Sequence, residues 1–151
     1  MEAQLHHPRP RGTPRGGVRV TASPARELRF AFVVDDYERA VHLFRDVLGL
    51  ETELDLERQG GRGVILRVPE ATFELFDVRH GDLVDEIETG ESRGVRVRIA
   101  VRVDDLEEAS RAVQDAGAEV VAYPVETPWG DRNQRLVLPD AVEITLFESP
   151  S

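Results

Sequence analysis

Short stretches of alternating apolar and polar residues run through most of the chain and predict a fold built largely from β-strands. Such alternation places apolar side chains on one face of a strand and polar side chains on the other. Two further segments carry apolar residues at intervals of three and four, the spacing of one buried helical face. The predicted strands cover residues 28–34, 51–57, 63–68 and 71–78, and then 95–103, 119–123, 133–138 and 141–147.

The two predicted helices begin and end with matching signals. Each begins at an Asp-x-x-Glu box, Asp35 to Glu38 and Asp104 to Glu107, whose carboxylates can accept hydrogen bonds from free amides of the first turn. A glycine follows each helix and suits a left-handed cap. The apolar stripes are Tyr37, Ala40, Phe44, Val47 and Leu48, then Leu106, Ala109, Val113 and Ala116, and the glycines are Gly49 and Gly117.

These elements form an internal repeat. Sliding residues 29–46 along the chain by 69 positions gives eight identities in 18 positions, and the same offset relates Glu74 to Glu143 further on. A repeat of this length dictates architecture, because each copy folds as the same supersecondary unit. The sequence therefore predicts an α+β fold of two tandem βαβββ modules, one over 27–80 and one over 95–148, joined by a polar, acidic linker over 81–94.

Strand alternation also predicts which face of each module meets its helix. The side chains expected to cover the helix in the second module are Val97, Ile99, Val101 and Val103, followed by Val142, Ile144 and Leu146. The opposite face is expected to carry Arg96, Arg98, Ala100 and Arg102, followed by Glu143, Thr145 and Phe147. With the helices on one side of the sheet, this opposite face is predicted to be available to a ligand.

The amino-acid composition excludes several kinds of chemistry. The 151 residues include no cysteine, and all 19 basic residues are arginine, which excludes disulfides, thiolate nucleophiles and Schiff-base lysines. Four histidines remain for any imidazole chemistry. Of these, His42 is expected at the surface of the first helix, His80 in a loop, and His6 and His7 in the N-terminal segment.

Charge is unevenly distributed along the chain. Residues 1–26 hold five arginines and one glutamate, a formal charge of +4, which leaves −14 for residues 27–151 out of a total of −10. Rich in Pro, Gly and Arg, the first 26 residues are predicted to be a disordered basic arm. The acidic remainder is expected to repel nucleic acid. No run of apolar residues is long enough to suggest a membrane span, so a cytoplasmic protein is expected.

The chain resembles the vicinal oxygen chelate superfamily, which includes glyoxalases, bleomycin resistance proteins and extradiol dioxygenases. The segments that carry the resemblance are VVDDYERAVHLFRDVLGL (33–50), FELF (73–76), RIAVRVDDLEEA (98–109), GAEVV (117–121) with PWGDR (128–132), and LPDAVEITLFE (138–148). The resemblance implies two modules whose cupped mixed sheet surrounds a cavity, with metal ligands from the first and last strands in metal-dependent members. It also implies a homodimer.

Two of the four implied ligand positions depart from the family pattern. The family's histidine positions hold Arg29 and Arg98, whereas its glutamate positions are kept as Glu74 and Glu143. Arginine stays protonated and has no lone pair to give to a metal. We therefore expect no metal cofactor and predict that Arg29, Glu74, Arg98 and Glu143 form a salt-bridged quartet lining the cavity.

Further side chains are candidates for contacting a ligand. Arg96 and Arg102 share the predicted face of Arg98, and clustered guanidinium groups suit carboxylate, phosphate or enolate oxygens. Aromatic residues can pack against a planar organic molecule. The aromatic candidates are Phe76, Tyr123 and Trp129.

Three functions fit these residues. The first is metal-independent binding of a small aromatic or anionic organic molecule, as in antibiotic-binding members of the superfamily. The second is a metal-free isomerase or lyase in which Glu74 or Glu143 moves a proton. The third is a metal-dependent glyoxalase- or dioxygenase-like enzyme whose ligands are Glu74, His80 and Glu143. The missing histidines favour the first over the third.

Overall fold

A computed structural model describes residue 27 and residues 29–151. The expected basic arm over residues 1–26, with His6 and His7, lies outside the described part. Residues 27 and 29–32 belong to a different unit from Val33–Ser151. In the first of these, Arg29 forms an ion pair with Glu27, and no helix or strand is present among the described residues.

The second half forms a five-stranded sheet. Its strands are β3 (Arg98–Arg102), β4 (Glu119–Val120), β5 (Val125–Glu126), β6 (Arg132–Val137) and β7 (Glu143–Glu148), and helix α3 (Leu106–Asp115) follows β3. The order is β3-β7-β6-β4, with β5 also paired to β6. Only the β3–β7 pair is parallel, and its register sets Arg98 opposite Glu143. The second predicted βαβββ module is therefore present, with each strand within a few residues of its predicted position.

The hydrophobic core lies between α3 and one face of this sheet. Leu106 and Val113 of α3 are fully buried against Leu136 of β6 and Ile144 and Leu146 of β7. Ile99, Val101 and Val103 pack against the same cluster, as the strand alternation predicts. Arg98, Asn133, Arg135, Glu143 and Thr145 alternate with these core residues and occupy the opposite face.

The first half contains a helix and a hairpin. Helix α1 (Tyr37–Val41) continues as a π-helix over His42–Val47. Strands β1 (Glu51–Arg58) and β2 (Gly61–Arg67) then pair antiparallel in a separate two-stranded sheet. Gln59 and Gly60 both have positive φ, 53° and 81°, as a two-residue hairpin turn requires.

Two strands predicted for the first half are absent, since residues 29–34 and 71–77 contain no strand. The segment 81–94, expected to be a polar linker, includes helical residues 81–89. Helix α2 (Val78–Thr89) begins at Val78, where the Asp77 side chain accepts a hydrogen bond from the His80 amide and caps the first helical turn. The cap therefore ends the segment that was predicted to be the strand 71–78.

The repeat nevertheless persists in the helix caps. Asp36 caps α1 by accepting from the Arg39 amide, and Asp105 caps α3 by accepting from the Glu108 amide. Both caps lie one residue after the predicted Asp35 and Asp104, so the offset of 69 is preserved.

The residues that follow α3 contact α1 at Gly117. It adopts a φ of 106°, and a Cβ atom there would lie 1.8 Å from a guanidinium nitrogen of Arg39. Arg39 in turn donates from Nε to the Ala116 carbonyl at 3.3 Å. The positive φ favours glycine here, and a Cβ atom would also require the Arg39 side chain to move. Within the described residues, no helix is long and apolar enough to cross a membrane.

The position of the core can be tested with one substitution made at two leucines. Leu136→Ala removes a fully buried side chain and is expected to lower the free energy of unfolding by about 2–5 kcal/mol. Leu75→Ala, at a side chain 82% exposed, is expected to change it by less than about 0.5 kcal/mol. Urea denaturation followed by circular dichroism measures both, and equal effects would contradict this core.

Candidate functional site

A buried network of charged and polar side chains occupies the sheet face opposite the core. Strands β3, β6 and β7 place alternate residues on this face, and α2 covers them from above. The network extends to the segment that leads from α2 to β3. Its members are Asp85, Glu88, Arg93, Arg98, Asn133, Arg135, Glu143 and Thr145.

Arg135 is the centre of the network and is fully buried. Its NH1 donates to Asp85 Oδ1 and to Glu143 Oε2, both at 2.9 Å, and its Nε donates to Glu88 Oε2 at 2.9 Å. Burial acts to lower the pKa of Arg135, but the charge of Glu88 and hydrogen bonds to Glu143 and Asp85 outweigh it and raise the pKa. The guanidinium therefore stays charged in a dry environment.

Glu88 reaches down from α2 and is 1% exposed. Besides Arg135, its carboxylate accepts from Asn133 Nδ2 at 2.9 Å, Thr145 Oγ1 at 2.8 Å and Arg98 NH1 at 3.4 Å. Donors from three strands thus converge on one carboxylate. This is the geometry with which proteins recognise an organic anion.

Asp85 and Glu143 complete the set of carboxylates. Asp85 Oδ2 accepts from the Arg93 amide at 3.1 Å, while Glu143 Oε1 accepts from Arg93 Nε at 2.8 Å and NH2 at 2.5 Å. Arg98 also donates to Thr145 Oγ1 at 2.8 Å.

The network balances three guanidinium groups against three carboxylates. The cations are Arg93, Arg98 and Arg135, and the anions are Asp85, Glu88 and Glu143. Buried ion pairs of this kind add little net stability, because the cost of desolvating the charges offsets their attraction. Removing one partner is nevertheless destabilising, because it leaves a buried charge without an opposite charge.

Hydrogen bonding at the site is incomplete. Asn133 is buried, yet its Oδ1 has no hydrogen-bond partner. Arg135 NH2 lies 2.7 Å from Glu88 Oε2 as an ion contact but makes no aligned hydrogen bond. Buried polar atoms are normally satisfied. Arg135 NH2 is therefore a donor that the Glu88 carboxylate leaves without an aligned hydrogen bond, whereas Asn133 Oδ1 is an acceptor and can bind only a donor.

The structure brings together only some of the residues predicted to form the site. Arg98 and Glu143 belong to the network, although the carboxylate partner of Arg98 is Glu88 and the arginine partners of Glu143 are Arg93 and Arg135. Glu74 is exposed in the segment without a strand. The other predicted ligand contacts, Arg96, Arg102, Phe76, Tyr123 and Trp129, are also exposed, and Arg29 pairs with Glu27.

The site's most buried charged residues were not predicted. Asp85 and Glu88 belong to α2, where an i, i+3 spacing places both on one helical face. Asp77 as a cap, Gly90 as a left-handed end, and Val84 and Ile87 between them are the signals for this helix. The acidic composition of this segment instead predicted an exposed linker, because charged residues are rarely buried.

Arg135 and Asn133 were also missed. They alternate along β6 with Gln134 and Leu136, which face the core side. The alternation alone could have placed both residues on the face of Glu143 and Thr145, since β6 and β7 pair antiparallel with Arg135 opposite Thr145.

The donor set does not suit the metal that the family resemblance implies. Among residues 29–151, no group of three or more His, Asp or Glu side chains could hold a metal ion, so Glu74, His80 and Glu143 do not form one. His80 is exposed on α2, with its ring 4.6 Å from that of Phe76.

An open groove of about 610 Å³ lies between the π-helix and the β1–β2 hairpin. Several of its charged side chains form exposed pairs: Arg62 with Glu38, and both His42 and Arg45 with Asp46. Arg62 also lies over the Tyr37 ring, 4.7 Å from its centroid. These pairs are exposed, so the groove lacks the dry, converging donors of the network.

Arg135 can be tested as the centre of the network. Arg135→Gln leaves three carboxylates short of a partner and is expected to lower the free energy of unfolding by about 3–5 kcal/mol. Arg102→Gln, on the same face but exposed, is expected to change it by less than about 0.5 kcal/mol. Urea denaturation measures both, and a small loss for Arg135→Gln would contradict a buried ion network.

Comparison with known proteins identifies the family. The model of the Glyoxalase/Bleomycin resistance protein/Dioxygenase superfamily matches residues 28–150. A comparison with curated proteins gave no significant match.

Solved structures share the fold. A glyoxalase family protein from Bacillus cereus superposes with a TM-score of 0.59 at 15% identity, covering 89% of this chain and all of its own. A hypothetical protein from S. aureus gives 0.57 at 18% identity, covering 83% of this chain and 95% of its own. A protein of unknown function from Agrobacterium tumefaciens gives 0.50 at 22% identity, with coverage of 83% and 98%. The chain therefore belongs to the glyoxalase/bleomycin resistance protein/dioxygenase superfamily, and the predicted fold class is confirmed.

Proposed function

We propose that this protein binds a small anionic organic molecule without a metal, at the sheet face that carries Arg98 and Arg135. The observation that carries the proposal is the Glu88 carboxylate, which this face holds with two guanidinium groups, an amide and a hydroxyl. A face that binds one carboxylate through fixed donors has the chemistry to bind another. Carboxylates and phosphate esters are the ligand classes that this set of donors favours.

The identity of the donors supports a mechanism without metal. Arg98 stands where metal-dependent relatives are expected to place a histidine, and a guanidinium has no lone pair to offer a metal. Glu143, at a retained glutamate position, accepts from Arg93 and Arg135 and so has its oxygens engaged. The charged groups that would bind an anion at this face are therefore arginine side chains.

The contacts of Glu143 favour binding over catalysis. A carboxylate that moves a proton must reach the substrate, and Glu143 would first have to break ion pairs with two arginines. Glu74, the other candidate for this role, is exposed. Neither residue has the setting that the isomerase or lyase alternative requires.

Calorimetric titration of EDTA-treated protein tests the proposal with benzoate, phenyl phosphate and neutral benzamide. We expect the two anions to bind and benzamide not to bind, since the donors are cationic. Arg98→Gln is expected to weaken anion binding at least about tenfold, a loss of about 1.4 kcal/mol. Arg111→Gln on the exposed face of α3 serves as the control and should bind as the unmodified chain does. Anion binding that requires added metal, or that survives Arg98→Gln, would overturn the proposal.

The homodimer and the cytoplasmic location expected from the sequence stay predictions. Light scattering on the full chain tests the first, with an expected mass about twice the 16.9 kDa of one chain. A mass of one chain at micromolar concentration would contradict it.

A further inference from the structure

We infer that helix α2 is an internal competitor for the anion site, and that a free dicarboxylate displaces it. This inference rests on the proposed function, since it concerns the same arginine-bearing face. In the structure, Glu88 and Asp85 of α2 occupy that face as a tethered pair of carboxylates. The helix therefore shows both what the site binds and what keeps the site closed.

Charge rather than apolar contact holds α2 in place. Of its twelve residues, the three that are buried are Val84, Asp85 and Glu88, so two of the three are carboxylates. Leu83 and Val78, which could have strengthened an apolar interface, are 40% and 64% exposed. Helix α3 is different, because apolar side chains dominate its buried face.

Exchange of one carboxylate for another preserves the ion pairs. A free anion that replaces Glu88 would meet the same donors on Arg98, Asn133 and Arg135, so no guanidinium would be left unpaired. The Arg135 NH2 group lies 2.7 Å from Glu88 Oε2 without an aligned hydrogen bond, so Glu88 does not use every donor of this face. A ligand free of the helix backbone can align with this remaining donor.

The chain on both sides of α2 permits the movement. Residues 68–77 before the helix and 91–97 after it contain neither helix nor strand. Displacement of α2 therefore breaks no strand ladder, and the β3–β7–β6 sheet with its core remains intact. Displacement must break the ion pairs and hydrogen bonds that join Asp85 and Glu88 to the network, and it must expose Val84.

The two carboxylates of α2 indicate the class of ligand. Asp85 and Glu88 both contact the guanidinium of Arg135, one through NH1 and the other through Nε. A compact dicarboxylate can present two anionic groups to that single guanidinium, whereas a monocarboxylate replaces only one. We therefore expect phthalate to displace α2 and to bind more tightly than benzoate.

Hydrogen exchange on the unmodified full chain tests the displacement. Saturating phthalate is expected to speed exchange of the amides of residues 78–89 at least about tenfold, because those amides lose a docked helix. Amides of β6 and β7 should exchange at the same rate or more slowly. Slowed or unchanged exchange over 78–89 at saturating phthalate would overturn the inference.

A pair of glutamate variants on α2 tests the competition. Glu88→Gln removes a carboxylate that occupies the site and is expected to increase phthalate affinity about tenfold, because the open form is then more populated. Glu86→Gln makes the same change on the exposed side of α2, where Glu86 lies 3.6 Å from Arg79, and should leave the affinity unchanged. Phthalate affinity that falls or stays constant in Glu88→Gln would contradict the competition, and if that variant does not fold, the exchange experiment decides alone.

The outcomes separate this inference from the function on which it rests. If neither benzoate nor phthalate binds the unmodified chain or Glu88→Gln, the proposed function fails and the inference fails with it. If benzoate binds in a manner that depends on Arg98 while α2 stays protected, the function stands and only the displacement is wrong.

Discussion

A buried guanidinium group is stable only with carboxylates within hydrogen-bonding distance. Arg135 is fully buried, so the residues around it must supply those carboxylates. Two of its partners come from the neighbouring strand β7, where Glu143 and Thr145 face the same side of the sheet as Arg135. It also requires a second source of negative charge from outside the sheet. Helix α2 supplies that charge through Asp85 and Glu88, so a charge on β6 determines how a distant segment docks.

The two faces of the main sheet are consequently stabilised by different forces. One face meets α3 through fully buried leucine, isoleucine and valine side chains, and its stability depends on close packing. The other meets α2 through ion pairs whose attraction is largely offset by desolvation. The first interface therefore contributes most of the stability of the fold, whereas the second contributes specificity in how α2 docks.

Local sequence patterns predicted the second half well and the first half less well. Alternation assigned Ile99, Val101, Ile144 and Leu146 to the core, since the period of a strand is set within a few residues. The same pattern over 71–77 did not give a strand, and these residues are exposed immediately before α2 begins at Val78. The repeat identified Arg98 and Glu143, but not their partners. The partner of Arg98 is Glu88 on a helix, and those of Glu143 are Arg93 and Arg135. Nothing local in the sequence shows that charged residues such as Glu88 and Arg135 will be buried.

All the cations of the network are arginines, and this limits how its charge balance can change. A guanidinium keeps its proton throughout the range in which proteins stay folded, so raising the pH removes no positive charge from Arg93, Arg98 or Arg135. A lysine in any of the three positions could give up its proton and its charge, whereas arginine keeps the positive side of the network constant.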